Sequence, residues 1–250
     1  MKPSAGSPVS FEGHRTLSEY FDAAMTSAKN IRESGADGLA FLEHVHGCFR
    51  DICDKSFNGM PAFAAALSFH SHSMFLAAAL TTISGHAAAA YPIVRACLES
   101  ALYCLHIAKN PDLAKVWAER NDSWTARKAC RDAFTAGRVL ATALEANPAL
   151  GKIVRDTYDE LIDYGAHPNA IGVFKNFTVS EVEAGIQVEV HYLHGSTPAR
   201  FEPMTAGLEV AVYAMALILA AFRDDAADPV LAANVQELID LGQRRSVRKT

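Results

Sequence analysis

The sequence predicts a mainly α protein: a multi-helix bundle of about eight or nine helices with one β-hairpin insert. Three observations support this. Half of the 250 residues are hydrophobic, a fifth are charged and alanine is abundant, a composition suited to closely packed helices. Apolar residues recur at helical spacing through successive segments, each bounded by Gly, Pro, Asn or Ser. A single stretch, FTVSEVEAGIQVEVHYLHG, changes to a period of two.

Residues 1–14 hold no apolar run and read as an unstructured leader. TLSEYFDAAMTSAKNIRES opens on a Thr/Ser cap signal and gives a first helix that ends near Gly35. A second, from Asp37 to about Phe57, places Leu39, Leu42, Val45, Phe49 and Ile52 on one side. Asn58 and Gly59 break it. Pro61 then suits the first turn of a third helix, which runs to Ser84-Gly85. The fourth covers His86 to Lys109, with Pro92 near its start or at a kink. Asn110-Pro111-Asp112 stops it, and a short helix follows to Arg120. Asp122 or Ser123 caps the next, expected to continue unbroken to about Ala146. Pro148 introduces another that ends at Tyr164, with Gly165 as its left-handed stop.

The hairpin falls at about residues 175–194, with Glu183-Ala184-Gly185 as its turn. Ile186, Val188, Val190 and Tyr192 share one face; Gln187, Glu189 and His191 share the other. Two strands alone are marginal in water, so the hairpin must lean on the bundle or on a second chain. Helices from about Arg200 to Arg223 and Pro229 to Leu241 complete the pattern. Residues 15–243 read as a single helical domain and 244–250 as a basic tail.

The charge is uneven. The net value is −5, but RRSVRKT holds four of the 23 cations and no acid. The remainder sets 19 cations against 28 acids, a balance of −9. An acidic body argues against phosphate-driven binding of nucleic acid. Five cysteines form an odd set without CxxC spacing, several inside apolar helical patterns. With no secretory signal in the sequence, this predicts a reducing, cytoplasmic setting. Two segments invite a membrane reading. LEVAVYAMALILAAF is shorter than the roughly 20 residues a span needs and carries Glu209. PAFAAALSFHSHSMFLAAALTTIS is long enough, but His70 and His72 near its centre are expensive in lipid. Both are expected as core helices, with no membrane partner.

The chemistry concentrates in YPIVRACLESALYCLH, residues 91–106. At helical spacing Arg95, Glu99, Leu102 and His106 fall on one stripe, with Tyr91 beside it and apolar residues round the rest. A helix apolar nearly all round is interior, so the stripe is expected to be desolvated and its charges paired. Two readings stay open. One is a polar network that fixes register; the other is a pocket wall in which Arg95 grips an anion and Glu99 orients it or acts as a base.

A second cluster is YDELIDYGAHPNA, residues 158–170. Asp159 and Asp163 share a helix face, and Tyr164, His167 and Asn169 sit on a tight exit, with His167 held extended by Pro168. Asn169 and His167 either hydrogen-bond the turn or join the Arg95/Glu99 pair in a site. His70 reads first as a satisfied core histidine and second as a lining residue of that pocket. His70 and His72 are two apart, as are His44 and His46, so neither pair shares a helix face; His44 and Cys48 do, but two ligands without a third predict no metal site. No nucleophile elbow, HExxH, Walker loop or dinucleotide fingerprint occurs, and no cofactor is expected.

Arg95 and Glu99 on an apolar helix, followed by Tyr158, Leu161, Tyr164, His167, Pro168 and Asn169 in a Y-x-x-L-x-x-Y-x-x-H-P-N pattern, resemble a set of uncharacterised bacterial all-helical proteins. The resemblance covers about residues 60–170, rests most on the HPN element, and implies a fold without an activity. A more distant likeness is to the HEPN group of prokaryotic helical proteins, some of which are ribonucleases. Their motif places a His within about two turns after an Arg. Here no Arg has a His four to seven residues downstream, and His106 lies too far beyond Arg95.

Three functions are weighed. The first is a cytoplasmic helical bundle that binds a small anionic or polar ligand through Arg95, Glu99, Tyr164, His167, Asn169 and His70. The second is a metal-independent hydrolase or HEPN-like nuclease with His167, Glu99 or His106 as catalytic acid or base. The third is a structural interaction module in a homodimer, paired through the Ile186–Tyr192 face of the hairpin.

Overall fold

The computed structural model describes residues 16–34, 37–166, 170–174, 176–182, 185–194, 201–226 and 228–247. It is mainly α, with one two-stranded antiparallel hairpin. Helices α1 (Leu17–Glu33) and α2 (Asp37–Gly59) lead into two long apolar helices, α3 (Ala62–Ile83) and α4 (Ala87–Lys109). Then come α5 (Leu113–Ala118), α6 (Trp124–Ala133), α7 (Ala136–Ala146), α8 (Pro148–Leu161) and the short α9 (Ala170–Phe174). Strands β1 (Phe177–Val182) and β2 (Gly185–Val190) precede α10 (Phe201–Leu219) and α11 (Pro229–Val247).

Local chemistry accounts for most of these boundaries. Thr16 and Glu19 form a complete capping box at the start of α1. Ser123, Thr135 and Asn147 each accept a backbone N–H at the start of α6, α7 and α8, and Pro148 occupies the first turn of α8, where its missing donor costs nothing. The face expected of α2 is the one it buries: Leu42, Val45, Phe49 and Ile52 are all closed to solvent.

The structure departs from the sequence expectations in several places. The single helix expected from Ser123 to Ala146 is two. Phe134 turns its ring against Tyr103 and His106, and Thr135 restarts the chain as a cap, so the break is held by tertiary contact. The helix begun at Pro148 stops at Leu161 and passes into a π-helical turn, Ile162–Ala166. Gly165 therefore lies inside that turn rather than acting as a left-handed stop. The short helix ends at Ala118 instead of Arg120, and α11 continues to Val247, taking in Arg244 and Arg245 of the expected tail. The expected leader lies outside the described residues.

α4 is the axis of the bundle, packed against α3, α10, α7 and α8. Leu98, Leu102, Leu105 and Ile107 on α4 meet Met215, Leu217 and Ile218 of α10 in a continuous core. All five cysteines are free and buried. Burial pushes the thiols of Cys53 and Cys97 up to about 12, so they serve as small core residues and not as nucleophiles. By length and composition, helices 62–83 and 202–219 could each cross a membrane; here both pack against α4.

The hairpin pairs Phe177 with Val190 and Val179 with Val188. It meets α9 through the Phe174–Phe177 ring contact and is tied to the bundle at Gly85, whose carbonyl accepts from His194 N at 2.8 Å. Gly85 has φ +97, a left-handed conformation that disfavours any side chain, and His194 is buried against it. Val179 and Tyr192 remain well exposed.

Candidate functional site

The polar stripe on α4 meets α8. Arg95 Nε donates to Glu99 Oε1 at 2.9 Å, one helical turn on. Arg95 Nη2 donates to Tyr158 Oη at 2.7 Å, and the Tyr158 hydroxyl in turn donates to Glu99 Oε1 at 2.9 Å. The guanidinium carbon also lies 4.8 Å from the centre of the Tyr158 ring, within cation–π range. The three groups close a ring of hydrogen bonds that offsets the cost of sinking a charge pair between helices. Burial opposes the Arg95 charge, but Glu99 and the Tyr158 hydroxyl outweigh it and hold the guanidinium above its ordinary value. Burial and the neighbouring Glu99 carboxylate both push the Tyr158 phenol up, so it stays a donor at neutral pH.

The cluster is not sealed. The Arg95 side chain is 18% exposed, but that of Glu99 is 38% exposed. Glu99 Oε1 takes both bonds, and Oε2 takes none among the described residues. On the adjoining turns Tyr91 is buried and Tyr164, carried by the π turn, stacks on it with ring centres 5.8 Å apart and planes at 19°. Tyr164 is 41% exposed. The π turn thus sets the Tyr164 ring on Tyr91, one helical turn before Arg95.

Of the residues expected in one site, the structure joins Arg95 and Glu99 and adds Tyr158, while Tyr164 stacks on Tyr91, one turn before Arg95. His167 and Asn169 lie outside the described residues. His70 stands elsewhere, on the exposed side of α3. The hydroxyl of Ser100 donates to the Ala96 carbonyl at 2.6 Å, so it accepts from His70 Nδ1 at 2.8 Å. His106 is eleven residues beyond Arg95, about 16 Å along the axis. Its Nε2 faces the Ala133 carbonyl at 3.2 Å and must donate, while Nδ1 lies 2.7 Å from the Thr142 hydroxyl, whose proton it shares with the Arg138 carbonyl at 3.3 Å. Burial lowers its pKa, so the ring is neutral with both nitrogens committed. It forms part of an open cleft of about 650 Å³ at the end of α4, where Lys109 and Arg138 are mixed with Asp112 and Glu145.

Tyr158 was legible only as part of the Tyr158–Asn169 pattern; its role depends on partners some sixty residues away. A second juxtaposition crosses helices as well. His46 Nδ1 and His72 Nε2 are 3.0 Å apart, with His72 stacked between His46 and Phe49. Neither histidine shares a face with its near neighbour in sequence, as the spacing implied, but each finds one on the other helix. Among the described residues no three His, Cys, Asp or Glu side chains converge to hold a metal ion. No protein-family model, curated protein or solved structure matches the chain.

Proposed function

We propose that the protein is a binding module for a small polar ligand that presents a hydrogen-bond donor to Glu99. One observation carries this: the Glu99 side chain is 38% exposed and its Oε2 is unbonded within the described residues, while Oε1 is fixed from two sides. A carboxylate held rigid by a guanidinium and a phenol, with one oxygen left outward, is a pre-oriented acceptor. Tyr164, partly exposed and stacked on Tyr91 two turns before Glu99, offers an aromatic surface on the same side of the bundle for a longer ligand. Of the two ligand classes expected from the sequence, the polar, donor-bearing one fits better than the anionic one. Arg95 is already engaged by a carboxylate, and an anion would have to displace it.

Thermal-shift measurements with ethanolamine, putrescine and glucosamine, set against phosphate, sulfate and citrate, test this. At least one donor-bearing compound should raise the melting temperature of the wild type, and the shift should vanish in Glu99→Gln, whose fold is checked by circular dichroism. Stabilisation by the anions alone, or an equal shift in Glu99→Gln, overturns the reading.

A further inference from the structure

Helix α3 is mostly apolar, yet one of its faces has no partner among the described residues. Ala62, Ala66, Phe69, Ser73, Leu76 and Leu80 are all exposed and follow one another at steps of four, three, four, three and four residues. That is the spacing of a helix–helix seam. No charged residue interrupts the seam. Phe69 is 41% exposed, Leu76 43% and Leu80 60%, and Phe57 of α2, itself 59% exposed, packs on Phe69 with ring centres 5.5 Å apart. Contiguous apolar surface of this kind marks a contact site.

We propose that this face pairs with the same face of a second copy of the chain, the two α3 helices lying antiparallel about a two-fold axis near residue 71. The order of side-chain sizes along the seam points to this occupant. In that arrangement Ala62 meets Leu80, Ala66 meets Leu76, and Ser73 meets Phe69 of the other copy, so every small residue faces a large one. Parallel pairing would instead set Phe69 against Phe69 and leave Ala62 facing Ala62. A two-fold contact has to be self-complementary, and this seam is. The area is also sufficient. Taking a fully exposed Phe or Leu as roughly 200 Å², the open parts of Phe57, Phe69, Leu76 and Leu80 amount to about 400 Å² per copy. With the three small residues, two copies would cover about 1,000 Å², the size expected of a specific interface. A lipid surface would fit less well, because Ser73 stands near the middle of the seam with the polar His70 at its edge, and the alanines leave dents instead of a continuous apolar ridge.

The test is light scattering on the full chain, eluted from a sizing column at high micromolar concentration. The wild type should have twice the 26.9 kDa chain mass. Leu76→Lys, at an exposed position where folding is not at stake, should be monomeric with an unchanged circular dichroism spectrum. Ala66→Leu alone should weaken the dimer, and the exchange Ala66→Leu/Leu76→Ala should restore it, since the large residue has only changed sides. A monomeric wild type overturns the proposal. So does a dimer that survives Leu76→Lys, or an exchange variant no better than Ala66→Leu. Flotation of monomeric wild type with phosphatidylcholine/phosphatidylglycerol vesicles, lost in Leu76→Lys, would assign the face to lipid instead.

Discussion

Acidification from pH 7.5 to pH 5 should destabilise the protein through His72. Its ring is wedged against Phe49 and Phe75 and meets His46 at 3.0 Å, with Arg50 also nearby and Asp54 as the one opposing charge. Burial, then His46 and Arg50, lower its pKa from 6.5 to about 4. Below pH 6.5 the unfolded chain takes up a proton that the folded ring refuses until about pH 4. Stability is therefore fully present above that window and falls through it. At pH 5 the difference would be about 2 kcal/mol for a fully shielded ring. His72 is only half-buried, and halving the figure for solvent screening leaves about 1 kcal/mol. The assay is urea unfolding of wild type and His72→Phe at both pH values, the Phe keeping the stack with Phe49 and Phe75. The midpoint of the wild type should fall further on acidification than that of the variant, by about 0.3 M. Burial also lowers the pKa of His106, but that ring is present in both proteins and cancels in the comparison. An equal fall in both would refute the assignment to His72.

Three further outcomes follow from the packing. Gly151→Ala would set a methyl carbon 2.4 Å from the Leu144 Cα and 2.6 Å from its backbone nitrogen, so α7 and α8 must part. A loss of about 2–3 kcal/mol, read as a fall of several degrees in melting temperature, is expected, and an unchanged value would mean that the two helices can shift freely. Arg95→Leu leaves the Glu99 carboxylate with Tyr158 as its one remaining partner in the cluster, whereas Arg95→Leu/Glu99→Leu removes both charges. The single variant should be less stable than the double, with a coupling energy of about 1–3 kcal/mol from chemical denaturation, and strict additivity would show the pair to be independent. Leu102→Ala, at a fully buried position on α4, should cost about 2–5 kcal/mol by the same measurement, and a loss below that range would mean the core collapses into the space.

What the sequence disclosed was what neighbouring residues decide. The Thr/Ser cap at Thr16, Asn110-Pro111 and Pro148 mark helix ends because caps and prolines act within a turn, and the hairpin showed because its alternation is local. The break at Phe134 did not show, since Thr135 is followed by Ala-Gly with no acid at the third position to complete a capping box. The π turn carries no such local signal; what it does is bring Tyr164 back onto Tyr91 across seventy-three residues of chain. The stripe of Arg95 and Glu99 was legible from helical period alone, but its third member, Tyr158, and its half-open state depend on how α8 lies against α4. His46 and His72 were invisible as a pair for the same reason: spacing within one helix cannot report a contact between two.

The charges and imidazole in so apolar a helix have a common physical explanation, and it stops short of one atom. Apolar packing has no preferred direction, so α4 could in principle slide by a turn, about 5.4 Å, against its neighbours with little change in buried area. Its polar groups forbid this. Ser100 accepts from His70 on α3, Arg95 and Glu99 bind Tyr158 on α8, and His106 binds Thr142 on α7. These bonds fix α4 at three heights against three different helices, and a one-turn slip would strand buried donors and acceptors in all of them. Register thus accounts for His106, for Ser100, for the guanidinium and for one oxygen of Glu99. It requires nothing of Oε2, and a glutamine at position 99 could accept the same two bonds through its amide oxygen. The negative charge of Glu99 is needed to balance the Arg95 guanidinium, which a glutamine would not do, but its second oxygen takes no bond from the described residues, and that open acceptor is the physical ground for placing a ligand there.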